Sequence, residues 1–157
     1  MFILQKINKK TCSAVIISLL LILLVIIKLV SCSSVSSNAV CVSIGEYSLE
    51  ARNNAQRIEF LEQFGWKILL EPVEIVEILI PQKFNATYKA YNEIQQKQGL
   101  DLEKFKGKSC KRVTYKVINY PNEENVVANM LIYKDRVIGG DICSRNIDGF
   151  MQGFEKQ

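Results

Sequence analysis

Residues 14–30 form an apolar run broken only by Ser18 and Lys28, directly behind Lys6, Lys9 and Lys10. At about 1.5 Å per helical residue the run spans roughly 26 Å, close to a thin hydrocarbon core. It predicts a transmembrane anchor over 14–30, and so a lipid bilayer as the first partner. The lysines ahead of it predict that 1–13 stays in the cytoplasm and that the remainder is extracytoplasmic. Lys28 suits a retained helix, because its ammonium reaches the outer interface on a flexible stem. Leu29-Val30-Ser31-Cys32 also has the form of a bacterial lipobox, which makes lipidation at Cys32 the alternative attachment. A cleaved signal is a third device, although no A-x-A-like site follows the run. The first two devices place the domain on the outer face of the cell membrane.

Charge and composition narrow the function classes. The net charge of +4 comes from 20 Lys and Arg against 16 Asp and Glu. Four of the lysines (Lys6, Lys9, Lys10, Lys28) lie in or before the apolar run and no acid does, so the exported part is near neutral. That argues against a nucleic-acid partner. The chain has no histidine. Ser-His and Cys-His nucleophile pairs and the commonest metal ligand are therefore excluded. Five cysteines remain (Cys12, Cys32, Cys41, Cys110, Cys143) without a CxxC spacing, which leaves zinc poorly supported. No calcium loop or phosphate-cradling glycine loop occurs. No cofactor, metal site or catalytic residue is expected.

Beyond the anchor, 31–50 is expected to be a tether, serine-rich from 31 to 43, followed by one domain over 51–157. Ala51, Ala55, Ile58 and Leu61, with Phe64 on the flank, have helical spacing; Asn53 with Gln56 offers a capping box and Gly65 a stop. Residues 66–80 favour β structure and are interrupted at Glu71-Pro72, predicting two short strands or one bent edge strand. Pro81 is expected to open a second helix carrying Phe84, Tyr88, Tyr91 and Ile94 to the core, closed by Gly99. A lysine-rich connector over 100–108, pinned by Leu102 and Phe105, leads into a three-stranded meander. In its first strand Val113, Tyr115 and Val117 alternate with Arg112, Thr114 and Lys116, the pattern of a sheet with one covered face. Residues 126–133, apolar apart from Asn129, suit a central strand. The third strand, 136–143, follows a tight Lys134-Asp135 corner, and Gly139-Gly140 suggests a bulge or close backbone approach. The expected fold class is α+β, an antiparallel sheet with two helices packed on one face.

Few residues suggest chemistry. Cys143 beside Asp141 and Ser144 follows the double glycine, yet a reactive thiolate needs a base or positive field, and Arg145 is the adjacent cation. An envelope enzyme using Cys143 is therefore the alternative reading, and a packed thiol the favoured one. Asp141 and Asp148 are conceivable as an acid/base pair but are better read as solvated turn carboxylates. In a meander Cys110 starts the first strand and Cys143 ends the third, at opposite edges, which predicts no disulfide between them. Lys104, Lys106, Lys108, Lys111, Arg112 and Lys116 make a basic patch that suits anionic lipid or wall polymer, or simply solvent. Asn85-Ala86-Thr87 spells a glycan acceptor, relevant only to a eukaryotic secretory pathway. Near the end, Phe150, Met151 and Phe154 sit among Gly149 and Gly153, either closing the core or presenting an apolar edge. Gly139, Gly140, Asp141, Phe150 and Phe154 are the candidate contact residues.

Two segments carry a resemblance. Phe60-Leu61-Glu62-Gln63-Phe64-Gly65-Trp66 runs through Glu71-Pro72-Val73-Glu74 to Ile80-Pro81-Gln82-Lys83-Phe84. Residues 125–131 run through Tyr133-Lys134 into Val137-Ile138-Gly139-Gly140-Asp141-Ile142-Cys143 and Asp148-Gly149-Phe150-Met151. Over about 53–153 the chain resembles a domain of unknown function found in small membrane-anchored proteins of clostridia and related Gram-positive bacteria. The resemblance implies a bacterial surface location behind one N-terminal helix, and it brings no activity, cofactor or site residue. The expectation is a non-enzymatic interaction module at the cell surface, partnered by an envelope protein or wall component.

Overall fold

The computed structural model describes residues 38–41 and 45–156. The expected cytoplasmic segment, the anchor at 14–30, and Cys12 and Cys32 lie outside the described residues. Among the described residues no helix is long and apolar enough to cross a membrane.

A short hairpin comes first, β1 (Asn38–Cys41) against β2 (Gly45–Ser48). It falls in the stretch expected to be tether. Tyr47, Leu49 and Ala51 are buried in the core, so the folded body begins ahead of residue 51. Serine-rich composition describes 31–37 but not the apolar positions that follow.

Helix α1 (Asn54–Glu62) starts where the capping signal sits. The Asn53 side chain accepts from the Gln56 N–H at 3.0 Å, while the Gln56 side chain accepts from the Arg52 N–H at 2.9 Å. The reciprocal bond of the box therefore closes one residue further out than the usual pattern. Gly65, at φ 77°, turns the chain out of the helix. Ile68 then makes an isolated bridge to Val117, and after the Glu71-Pro72 interruption strand β3 (Glu74–Leu79) forms. The second helix, α2 (Ala86–Lys97), does not open at Pro81. Its cap is Asn85, whose side chain accepts from the Tyr88 N–H at 2.8 Å. A start at Pro81 offers no such acceptor to the first-turn N–H groups. The same contact makes the expected glycan acceptor a helix cap.

A 3₁₀ turn (Leu102–Phe105) leads to β4 (Ser109–Lys116), β5 (Val126–Tyr133), β6 (Arg136–Ser144) and the two-residue β7 (Met151–Gln152). With β3 these form one antiparallel sheet in the order β3-β4-β5-β6-β7. Lys134 and Asp135, at φ 47° and 63°, are the left-handed pair of a two-residue hairpin turn. The register shifts between Leu131 and Ile132, a bulge that accommodates Ile138 beside Gly139.

The described residues are thus α+β, with a five-stranded antiparallel sheet and two helices, but the helices lie on opposite faces. On one face Phe60 and Leu61 of α1, with Phe64 and Trp66, pack on Val113, Tyr115, Ala128 and Met130. On the other, Tyr88 and Tyr91 of α2, with Leu102, pack on Cys110, Leu131 and Ile138. The physical reason is β5. A strand apolar at nearly every position presents both faces to the core, and each needs a cover. One alternating strand, β4, suggested a single covered face.

Candidate functional site

Strand pairing brings polar side chains into a row across the α2 face. Glu74 pairs in register with Thr114, Thr114 with Asn129, and Asn129 with Asp141. Because successive residues alternate faces, all of these point to the same side of the sheet. Thr114 Oγ1 donates to Asn129 Oδ1 at 2.8 Å, and Asn129 Nδ2 donates to Asp141 Oδ2 at 2.9 Å. The same Nδ2 lies 3.4 Å from Cys143 Sγ. From above, Tyr91 of α2 donates its hydroxyl to Asp141 Oδ1 at 2.8 Å. At the far end Arg112 Nη2 meets Glu74 Oε2 at 2.7 Å. The Nε of Arg112 is buried without a hydrogen-bond partner, the single such side-chain atom among the described residues.

Burial governs the titration of Asp141, Tyr91 and Cys143. It pushes the Asp141 carboxyl above the usual carboxylate value, against the opposing pull of the bonds from Asn129 and Tyr91. Burial, and then the nearby Asp141 charge, hold the Tyr91 phenol well above its ordinary value, so it remains a donor. The Cys143 thiol is pushed up to about 12 by burial and then by Asp141. A thiol so placed carries almost no thiolate at neutral pH and is no nucleophile. Asp141 already accepts on both oxygens. The row therefore works as a clasp holding α2 to β6.

Cys110 and Cys143 are both free thiols, on β4 and β6 with β5 between them. Asp141 is buried beneath α2, whereas Asp148 is exposed on the loop after β6, so the structure does not join them as an acid/base pair. Among the described residues no group of three or more Cys, Asp or Glu is placed to hold a metal ion.

The candidate contact residues are mostly interior, which corrects their reading as a sheet edge. Gly139 and Gly140 are buried in β6. A Cβ on Gly139 would meet Leu102 Cδ2 at 2.9 Å, and one on Gly140 would meet the Asn129 backbone oxygen at 2.2 Å. The Gly140 N–H donates to Gln95 Oε1 at 2.8 Å instead of facing an outside partner. Phe154 is fully buried, edge-on to Phe60 with centroids 4.9 Å apart, and its N–H donates to Gln98 Oε1 at 2.6 Å. Phe150 is half-buried and stacks on Tyr120 at 4.6 Å, which stacks in turn on Trp66 at 5.7 Å. The basic patch is also divided. Arg112 pairs with Glu74, Lys106 pairs with Glu103 at 2.7 Å, and Lys111 and Arg112 point to opposite faces of β4.

What lies outside is the β3 edge. On the α1 side of the sheet Ile75 is 53 % exposed and Leu79 64 %, and Leu69, Leu70 and Val73 just before the strand are exposed with them. Ile80, in the same register, sends its N–H to the Lys108 carbonyl and accepts from the Gly107 N–H. By antiparallel alternation the even residues of β3 bond toward β4, and Ile75, Glu77 and Leu79 turn their N–H and C=O groups to the open side. Sequence reasoning allowed for a bent edge strand here without seeing that its apolar residues would remain uncovered.

A family model described as domain of unknown function (DUF4830) matches residues 60–142, just over half of the chain. The match runs from within α1 to the Asp141 end of the clasp. No curated protein and no solved structure matches the chain.

Proposed function

The chain belongs to the DUF4830 family, and from that premise we propose that it is a non-enzymatic binding module, tethered outside the cell membrane by the 14–30 run, that captures an extended peptide on β3. The open apolar edge carries this reading. An unpaired strand is a template for another chain, and proteins that do not use such an edge blunt it with charge, proline or a cover. Here three backbone positions are open and apolar side chains flank them.

The edge also favours the kind of segment it takes. Pairing β3 with a second copy about Glu77 sets two carboxylates opposite each other, and pairing about Val76 sets Ile75 against Glu77. A foreign strand with a basic residue opposite Glu77 and apolar residues on either side satisfies the row. The occupant is therefore an extended segment of an envelope protein with that pattern. The saturated clasp around Asp141 and the protonated Cys143 thiol support a binding role over an envelope enzyme.

The test is in-cell photo-crosslinking of the full-length protein with a photoreactive residue at Ile75, and separately at Glu93 on the exposed side of α2. The expected result is one reproducible envelope protein captured at 75 and not at 93. Capture should be lost in Glu77→Pro, which removes an outward N–H without breaking a β3–β4 bond. Equal capture at both positions, or capture indifferent to Glu77→Pro, rejects the edge. The intact mass of the mature protein separates a retained anchor from lipidation at Cys32.

A further inference from the structure

A cleft of about 330 Å³ lies between the 3₁₀ turn and the β5–β6 hairpin, away from the β3 edge. That is well beyond the space a single water needs, and enough for a short hydrocarbon chain. Its deeper lining is apolar. Leu49, Leu100, Val137 and Ile138 are all buried. Phe105 and Tyr133 add half-buried rings, edge-on to each other at 5.6 Å.

The outer lining is cationic. Lys104, Lys134 and Arg136 belong to the cleft and are exposed. The Lys134 ammonium sits 5.5 Å from the centre of the Tyr133 ring. The one acidic residue of the lining, Asp101, accepts on Oδ1 from Asn92 Nδ2 and from the Glu103 N–H, each at 3.0 Å, so the lining holds three cations against one carboxylate. An apolar interior beneath a rim with more cations than carboxylates matches a molecule with an apolar tail and one negative head.

We propose that this cleft binds a single-chain anionic amphiphile of fatty-acid type, its tail against Leu100 and Val137 and its carboxylate between Lys104 and Lys134. The tail contributes the apolar burial, while the head fixes orientation and discriminates against uncharged chains. This site is independent of the β3 edge, and either can fail without the other.

The test is photolabelling of the full-length protein in phosphatidylcholine nanodiscs with a diazirine-bearing decanoate, mapped by peptide mass spectrometry. Crosslinks are expected to concentrate in 99–105 and 133–138, and excess decanoate should remove them. Decanol should compete about tenfold less well. The double variant Lys104→Glu/Lys134→Glu, reversing two exposed charges, should lower labelling by about tenfold with an unchanged circular dichroism spectrum. Labelling confined to 14–30, equal competition by decanol, or full labelling of the double variant overturns the proposal.

Discussion

The Tyr91 hydroxyl reaches 2.8 Å to Asp141 Oδ1, tying the middle of α2 to a strand fifty residues later in the chain. Tyr91→Phe keeps the ring and removes the donor, leaving a buried carboxylate oxygen without that partner. The expected cost is about 1–3 kcal/mol in urea denaturation. A variant as stable as the parent would mean that the clasp contributes nothing net.

Asp141 should make stability depend on pH in an unusual direction for a carboxylate. Its folded pKa is raised by burial, so within the interval just above the ordinary carboxylate value the folded state keeps a proton that the unfolded state has released. The contribution is complete below the unfolded pKa and is lost as pH rises through the folded one. Asp141→Asn should flatten that part of the curve. Denaturation at a series of pH values from about 4 to 8 checks it, and parallel curves for parent and variant would contradict the assignment.

Cys143 should be inert. With its pKa near 12, three units above the usual thiol value, its thiolate fraction at neutral pH is about a thousandfold below that of an ordinary thiol. Iodoacetamide should leave it unmodified in the folded protein and modify it in urea. Rapid alkylation of the folded chain would restore the case for a catalytic thiol.

Gly140→Ala should fail in folding rather than in binding. Gly140 has φ 156°, and an added Cβ would fall 2.2 Å from the Asn129 carbonyl oxygen and 2.3 Å from Phe154 Cζ. The expected loss is about 2–4 kcal/mol, read as a lowered melting temperature. Phe154→Ala should cost about 3–5 kcal/mol by emptying the space between Phe60 and Phe64. The chain's one tryptophan, Trp66, donates its indole N–H to the Phe154 carbonyl, so its emission should shift to the red in that variant.

Local signals carried much of this architecture. Asn53 with Gln56, Gly65, the Lys134-Asp135 corner and the double glycine each act within a few residues, and each stands where its chemistry requires. The glycines also announced a close approach, though the approach is to Gln95, Leu102 and Phe154 within the molecule. Asn129 was the legible trace of the clasp, a lone polar residue in an apolar strand, but the other members of the clasp, Thr114, Asp141 and Tyr91, come from three other elements. Gln95 and Gln98 gave no hint. Gln95 lies on α2 and Gln98 caps its end, and both are buried and take up the Gly140 and Phe154 N–H groups. Which helix covers which face is a long-range choice, and periodicity within one strand carries no record of it.

The placement of the helices on opposite faces has a mechanical consequence. The two apolar clusters are back to back, and β4, β5 and β6 are the wall they share. If either helix peels away, the strands lose the side chains that hold their pleat in register, and the opposite cluster loses its support with them. The domain should therefore open all at once, with amide exchange in the three central strands slowing to a common limit set by global unfolding. β3, walled on one side only, is the element left to loosen first.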